Sequence, residues 1–62
     1  SMKLDSMKPG DLVTILYEKK KYCLIVARGG SSSFHVMLPN GSVRRIPALE
    51  LRLVERKEKD ND

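Results

Sequence analysis

Short apolar runs recur along the chain, separated by charged stretches and by turn-forming residues. A period of two puts successive side chains on opposite faces of a strand. In "DLVTILYE", Val13, Ile15 and Tyr17 share one face, while Leu12, Thr14 and Leu16 share the other. Both faces are rather apolar, so a core on one side and a partner or covering segment on the other are expected. In "KYCLIVAR", Cys23, Ile25 and Ala27 oppose Tyr22, Leu24 and Val26; in "FHVML", Phe34, Val36 and Leu38 oppose His35 and Met37. The charged "EKKK" reads as a solvated hairpin tip, and Gly29-Gly30 with Ser31, Ser32 and Ser33 as a mobile connector.

The next turn carries the strongest local signal. Asn40-Gly41 between two strand-like runs predicts a tight type I′ hairpin, because both residues tolerate positive φ. Beyond it, Val43 shares a face with Arg45 and Arg44 with Ile46, so burying both Val43 and Ile46 requires a bulge or a strand end between them. Pro47 has no amide hydrogen and is kept out of a central ladder. "PALE" therefore predicts a single 3₁₀ turn with Leu49 pointing inward, and "LRLV" a short last strand.

These elements predict an all-β domain: four strands, a 3₁₀ turn and a fifth strand, closed into a small barrel that hides most of its edges. Residues 1–8 are expected to be a flexible N-terminal segment in which Ser1 is a tag-cleavage scar, residues 9–54 the barrel, and residues 55–62 a disordered charged tail. The chain has 62 residues, one cysteine and one histidine. A core this small typically supplies no more than about 3–5 kcal/mol of stability. Cys23 cannot form an intrachain bridge, and its apolar setting reads as a small buried residue. Unpaired cysteine usage fits a reducing cytoplasm, and no apolar run nears the roughly 20 residues of a membrane span.

"KPGDLVTILYEKKKYCLIVAR" followed by "FHVMLPNGSVRRIPALELRLV" resembles the Tudor-like branch of the SH3-like barrel superfamily. The resemblance rests on Gly10-Asp11-Leu12-Val13, Tyr22-Cys23, the Pro39-Asn40-Gly41-Ser42 hairpin and the Pro47-Ala48-Leu49-Glu50-Leu51 element. It covers residues 9–54 and implies a five-stranded small barrel. The KOW motif is similar in its Gly-Asp-x-Val opening, but it has a glycine where this chain has lysines. Small stand-alone SH3-like proteins of phages and bacteria are similar in size and pattern. A Tudor-like reader would need an aromatic cage for a methylated cation; Tyr17, Tyr22 and Phe34 are the only rings, and Pro39 stands where the hairpin aromatic would be. A methyl-lysine or methyl-arginine reader is thus the remote alternative.

Charge and chemistry point to binding. The net charge is +4, and because the tail holds three basic and four acidic residues, the body of the chain is more basic still. Such a field favours acidic partners. Catalysis needs at least two groups brought together, and lone His35 and Cys23 supply neither a nucleophile–base pair nor a metal site. No enzyme activity, cofactor, metal or small-molecule substrate is expected. "RGGSSS" lacks the lysine and setting of a phosphate loop, though such a loop can flank a ligand groove. The candidate binding residues are Lys19, Lys20, Lys21, Tyr22, Leu24, Arg28, His35, Met37, Arg44 and Arg45. The expected function is docking to a protein partner, or self-association, through an outward apolar patch of Leu12, Leu16, Leu24, Val26 and Met37 rimmed by basic residues. The alternative is phosphate-backbone binding to nucleic acid through Lys19–Lys21 and Arg44 or Arg45, which strict alternation points to opposite sides.

Overall fold

The structure, a computed structural model, describes residues 7–56. Strands β1 (Leu12–Ile15), β2 (Glu18–Arg28), β3 (Ser33–Met37) and β4 (Val43–Pro47) are followed by a 3₁₀ turn, η1 (Ala48–Glu50), and β5 (Leu51–Glu55). All five strands form one antiparallel sheet in the order β4-β3-β2-β1-β5. The sheet is not closed: β4 and β5 remain its two edges, which corrects the expectation that closure removes most edges. Pro47 is accommodated because β4 is an edge strand. No helix of the described residues is long and apolar enough to cross a membrane.

The buried face contains Val13, Ile15, Cys23, Ile25, Phe34, Val36, Leu38, Ile46, Ala48 and Leu51, with Leu53 packed against them. Met7 is buried with this cluster, so the core reaches into the segment that the sequence assigns to a flexible N-terminus. Residues 1–6 and 57–62, including most of the charged tail, lie outside the described residues. At the other boundary, β5 continues past Val54 to Glu55, and Arg56 folds back onto Asp11.

Asp11 is the centre of a clamp. Lys8, Pro9, Gly10 and Asp11 make a turn closed by the Asp11 N–H on the Lys8 carbonyl (3.1 Å), with Gly10 at φ +97° as the third residue of a type II turn requires. The buried Asp11 carboxylate accepts from the Lys8 N–H (3.0 Å) and from Arg56 Nη2 (2.7 Å) and Nε (3.1 Å). The turn is also tied to β2, since Ile25 N–H donates to the Asp11 carbonyl and Gly10 N–H to the Ile25 carbonyl. One carboxylate thus joins the chain before β1 to the chain after β5.

Five local expectations are corrected, by strand register or by turn geometry. The first hairpin turns at Leu16 and Tyr17, not at the lysines: Ile15 pairs with Glu18, and the register shift between Thr14 and Ile15 leaves Lys19, Lys20 and Lys21 within β2. Leu16 N–H is held by the Glu50 carbonyl (2.9 Å), which stops β1 at Ile15. The second hairpin is not type I′, because Asn40 has no positive φ. Its turn starts one residue earlier, with Pro39 as the second residue of a type I turn closed by Gly41 N–H on the Leu38 carbonyl (2.8 Å). Gly41 then takes φ +91°, and Leu38 N–H reaches the Ser42 carbonyl, the three-residue loop of a glycine bulge. Asn40 contributes its side chain instead, accepting from Ser42 N–H and Oγ–H.

Strand β4 runs against β3 without a register shift; Ile46 is buried, and Val43 is simply left outside. The bulge lies in β2, between Ile25 and Ala27. It reverses the phase at the end of that strand: Ala27 pairs with outward His35 rather than joining Cys23 and Ile25, and Arg28 pairs with inward Phe34. Finally, Leu49 is 74% exposed and Ala48 is the buried residue of η1. In a three-residue turn, positions three apart eclipse, so Ala48 and Leu51 take the inward side together and Leu49 must face out.

Candidate interaction surface

Directly opposed residues of an antiparallel pair lie on the same face. Following the pairing outward from β1 gives Leu12 to Leu24, Leu24 to Met37, and Met37 to Val43. These four side chains form one apolar row across β1, β2, β3 and β4 on the face away from the core. Leu12 is half-buried, and Leu24, Met37 and Val43 are 40%, 38% and 48% exposed. Exposed Val26 lies farther along β2 on this face. Leu16, expected in the patch, is instead a half-buried turn residue, and Val43, which the sequence suggests should be buried, takes its place.

Polar rows border the stripe on both sides. On one side Arg52, Thr14 and Tyr22 are in register, with Thr14 buried between its neighbours and Tyr22 exposed. On the other, half-buried His35 pairs with exposed Arg45. Arg45 Nε donates to Ser33 Oγ (3.1 Å), and Ser33 Oγ–H in turn donates to the Gly29 carbonyl. Arg45 is thereby fixed beside the stripe by the loop between β2 and β3.

The remaining candidates are dispersed. Arg44 pairs with inward Val36, on the side opposite to Arg45, as the alternation requires. Lys19, Lys20 and Lys21 are exposed near the first turn; Lys21 Nζ lies 3.7 Å from Glu18 Oε1, a surface pair of small energetic weight. Arg28 sits on the inward side at the opposite end of β2, its guanidinium 5.7 Å from the centre of the Phe34 ring. Tyr17 is exposed at the first turn, Tyr22 is on the outer face and Phe34 is buried, so the three rings form no common cage.

Cys23 is buried, with its Sγ 3.6 Å from the Lys21 carbonyl, and burial pushes its thiol pKa up, with nearby Glu18 adding to the effect. A buried thiol held protonated is a poor nucleophile. Labelling of the native chain with a disulfide reagent is therefore expected to be slow and to become immediate in denaturant; prompt labelling in native buffer would contradict the assignment. Among the described residues, no three His, Cys, Asp or Glu side chains come together as a metal site.

Alternation in the sequence indicated the outward positions of Leu24 and Met37, but Val43 is found only through register, because its strand has no second outward apolar residue to reveal the phase. Compared with known protein families, characterised proteins and solved structures, the chain matches none of them.

Proposed function

We propose that the chain is a non-catalytic binding module of SH3-like type, built on its five-stranded sheet, that docks to a protein partner through the outer face. The observation that carries this reading is the register that sets Leu12, Leu24, Met37 and Val43 side by side. Isolated exposed apolar residues are ordinary, whereas a contiguous apolar patch with a polar rim marks an interaction site. Methionine at the centre adapts its shape to a partner surface. Arg45 and His35 on one flank and Arg52 on the other favour a partner whose apolar ridge is edged by carboxylates.

Phosphate-backbone binding is supported less well. The basic residues it would use are divided between faces and ends of the sheet, and Arg44 and Arg45 cannot meet one phosphate track together. For base stacking the stripe has only Tyr22 on one border and half-buried His35 on the other, too few rings for a stacking platform.

The test compares proteins retained by the unaltered chain and by a Leu24→Asp variant, both with nuclease treatment. Leu24 is on the outer face, so the variant should keep its fold, as checked by circular dichroism. A partner that survives nuclease and is retained at least tenfold less by Leu24→Asp is the expected result. The proposal is overturned if all retained material is nuclease-sensitive and Lys19→Glu, Lys20→Glu and Lys21→Glu abolish it while Leu24→Asp does not.

A further inference from the structure

A second surface feature is built by loops rather than by the outer apolar row. The loop between β2 and β3 and the 3₁₀ turn enclose an open cleft of about 360 Å³, with Phe34 on its floor, Arg28, Ser31 and Ser32 on one wall, and Pro47 and Leu49 on the other. Its size lies within the range of small-ligand pockets. From these features we infer that the cleft binds an acidic peptide segment of a partner protein, with a carboxylate on Arg28 and an adjoining apolar side chain against Leu49 and Pro47.

The walls are held together before any ligand arrives. Ala48 N–H donates to the Ser32 carbonyl (2.9 Å), which ties η1 to the loop. Gly29 N–H donates to the Ser33 carbonyl (2.8 Å), Ser33 Oγ–H closes back on the Gly29 carbonyl, and Gly30 takes φ +111° at the bend between them. A cleft fixed in this way loses little conformational freedom on binding.

The charge of the occupant follows from Arg28. The β2 bulge turns its side chain to the Phe34 side, where the guanidinium lies within cation–π distance of the ring. Among the described residues, neither of the two ion pairs involves Arg28, so its fork of donors is available to a carboxylate. Ser31 and Ser32 are exposed and add hydroxyl donors on the same wall. Cationic ligands are repelled by Arg28, and bases find no free ring to stack on, because Phe34 is buried.

The apolar half of the occupant follows from the opposite wall. Leu49 and Pro47 are both exposed, although η1 has a core side that Ala48 and Leu51 already fill. They form a short apolar rim, suited to one side chain next to the carboxylate.

The probe is a short acetylated and amidated peptide carrying two aspartates around one leucine, titrated into the full ¹⁵N-labelled chain. The control is the same peptide with asparagines replacing the aspartates. Saturable shifts of the amides of Arg28–Phe34 and Ala48–Glu50 are expected with the acidic peptide alone. Arg28→Gln should weaken binding at least tenfold and Leu49→Gln severalfold, both with undisturbed spectral dispersion because both side chains are exposed. The inference is overturned by equal affinity for the two peptides, by binding unchanged in Arg28→Gln, by shifts confined to Leu24 and Met37, or by single-stranded DNA occupying the same amides more tightly than the acidic peptide. Binding read at the amides of Arg28–Phe34 and Ala48–Glu50 does not use the outer stripe, and shifts at Leu24 and Met37 report the stripe alone, so failure of either site is read separately.

Discussion

Ile25→Ala is expected to unfold the chain at room temperature, whereas Ile25→Val should leave it folded and weakened. Ile25 is 0% exposed at the centre of β2, the strand that pairs with both β1 and β3. Truncating a buried isoleucine to alanine removes its transfer free energy and leaves a cavity that neighbours fill only partly, about 2–5 kcal/mol in all. A core of this size typically supplies about 3–5 kcal/mol. Loss on that scale consumes most of the stability, while valine, at about 0.5–1.5 kcal/mol, does not. The consequence reaches beyond the core, since the Ile25 N–H and carbonyl also hold the Asp11 turn. Urea unfolding followed by circular dichroism checks this; an alanine variant with a midpoint near that of the valine variant would refute it.

The second large effect is expected at Asp11, in both mutation and acid. The Arg56 guanidinium, and to a lesser degree the Lys8 N–H, hold the Asp11 carboxyl below its ordinary pKa against the opposing effect of burial. Below roughly pH 5 the unfolded chain begins to take up a proton on Asp11, near its ordinary pKa of about 3.9, while the folded chain resists. The stabilisation is therefore fully present above the unfolded value and is lost as pH falls through the lowered folded value. The hydrogen bonds of a charged group contribute about 1.5–3 kcal/mol each, so Asp11→Ala should cost about 2–3 kcal/mol at neutral pH, with the Lys8 N–H left without its partner. Asp11→Asn should flatten the acid limb of a plot of urea midpoint against pH. Arg56→Gln should also shorten and flatten that limb, because the Asp11 carboxyl then titrates closer to its ordinary value and the folded and unfolded chains differ less in proton uptake. An unchanged acid limb in both variants would remove Asp11 from the account.

Acid sensitivity at this position matters for the proposed docking face. Asp11 precedes Leu12, the first residue of the apolar row, and its carboxylate ties the start of β1 to the end of β5. Loosening the clamp should therefore disturb Leu12 before it disturbs Met37 and Val43, which belong to strands on the far side of β2.

Much of this molecule is legible in the residue pattern. Alternation in "YCLIV" and "FHVML" places Cys23, Ile25, Phe34, Val36 and Leu38 inside and Tyr22, Leu24 and Met37 outside, as the structure does. The number and order of strands follow from the turn residues between them, and Pro47 marks the end of an edge strand before the 3₁₀ turn. The legible features share a cause. They depend on a residue's own backbone preference or on its nearest neighbours, both of which are written in a short window of sequence.

The features that escaped that window depend on distant partners. The turn at Leu16 is set by Glu50, the buried role of Asp11 by Arg56, and the inward swing of Arg28 by a bulge against His35. Likewise, Asn40-Gly41 signals a hairpin, yet the preceding Pro39 and the register of Leu38 with Ser42 select the turn. Local pattern is therefore enough to specify a five-stranded all-β unit and the inward side chains of the regular strand segments, though not Ala27 beyond the bulge or Leu49 in the 3₁₀ turn. Tertiary structure alone decided which outward residues stand next to each other, that the sheet stays open at β4 and β5, and where the cleft lies. Periodicity specifies the face a side chain occupies, whereas neighbours on that face are specified by register, which long-range pairing settles only when the whole sheet forms.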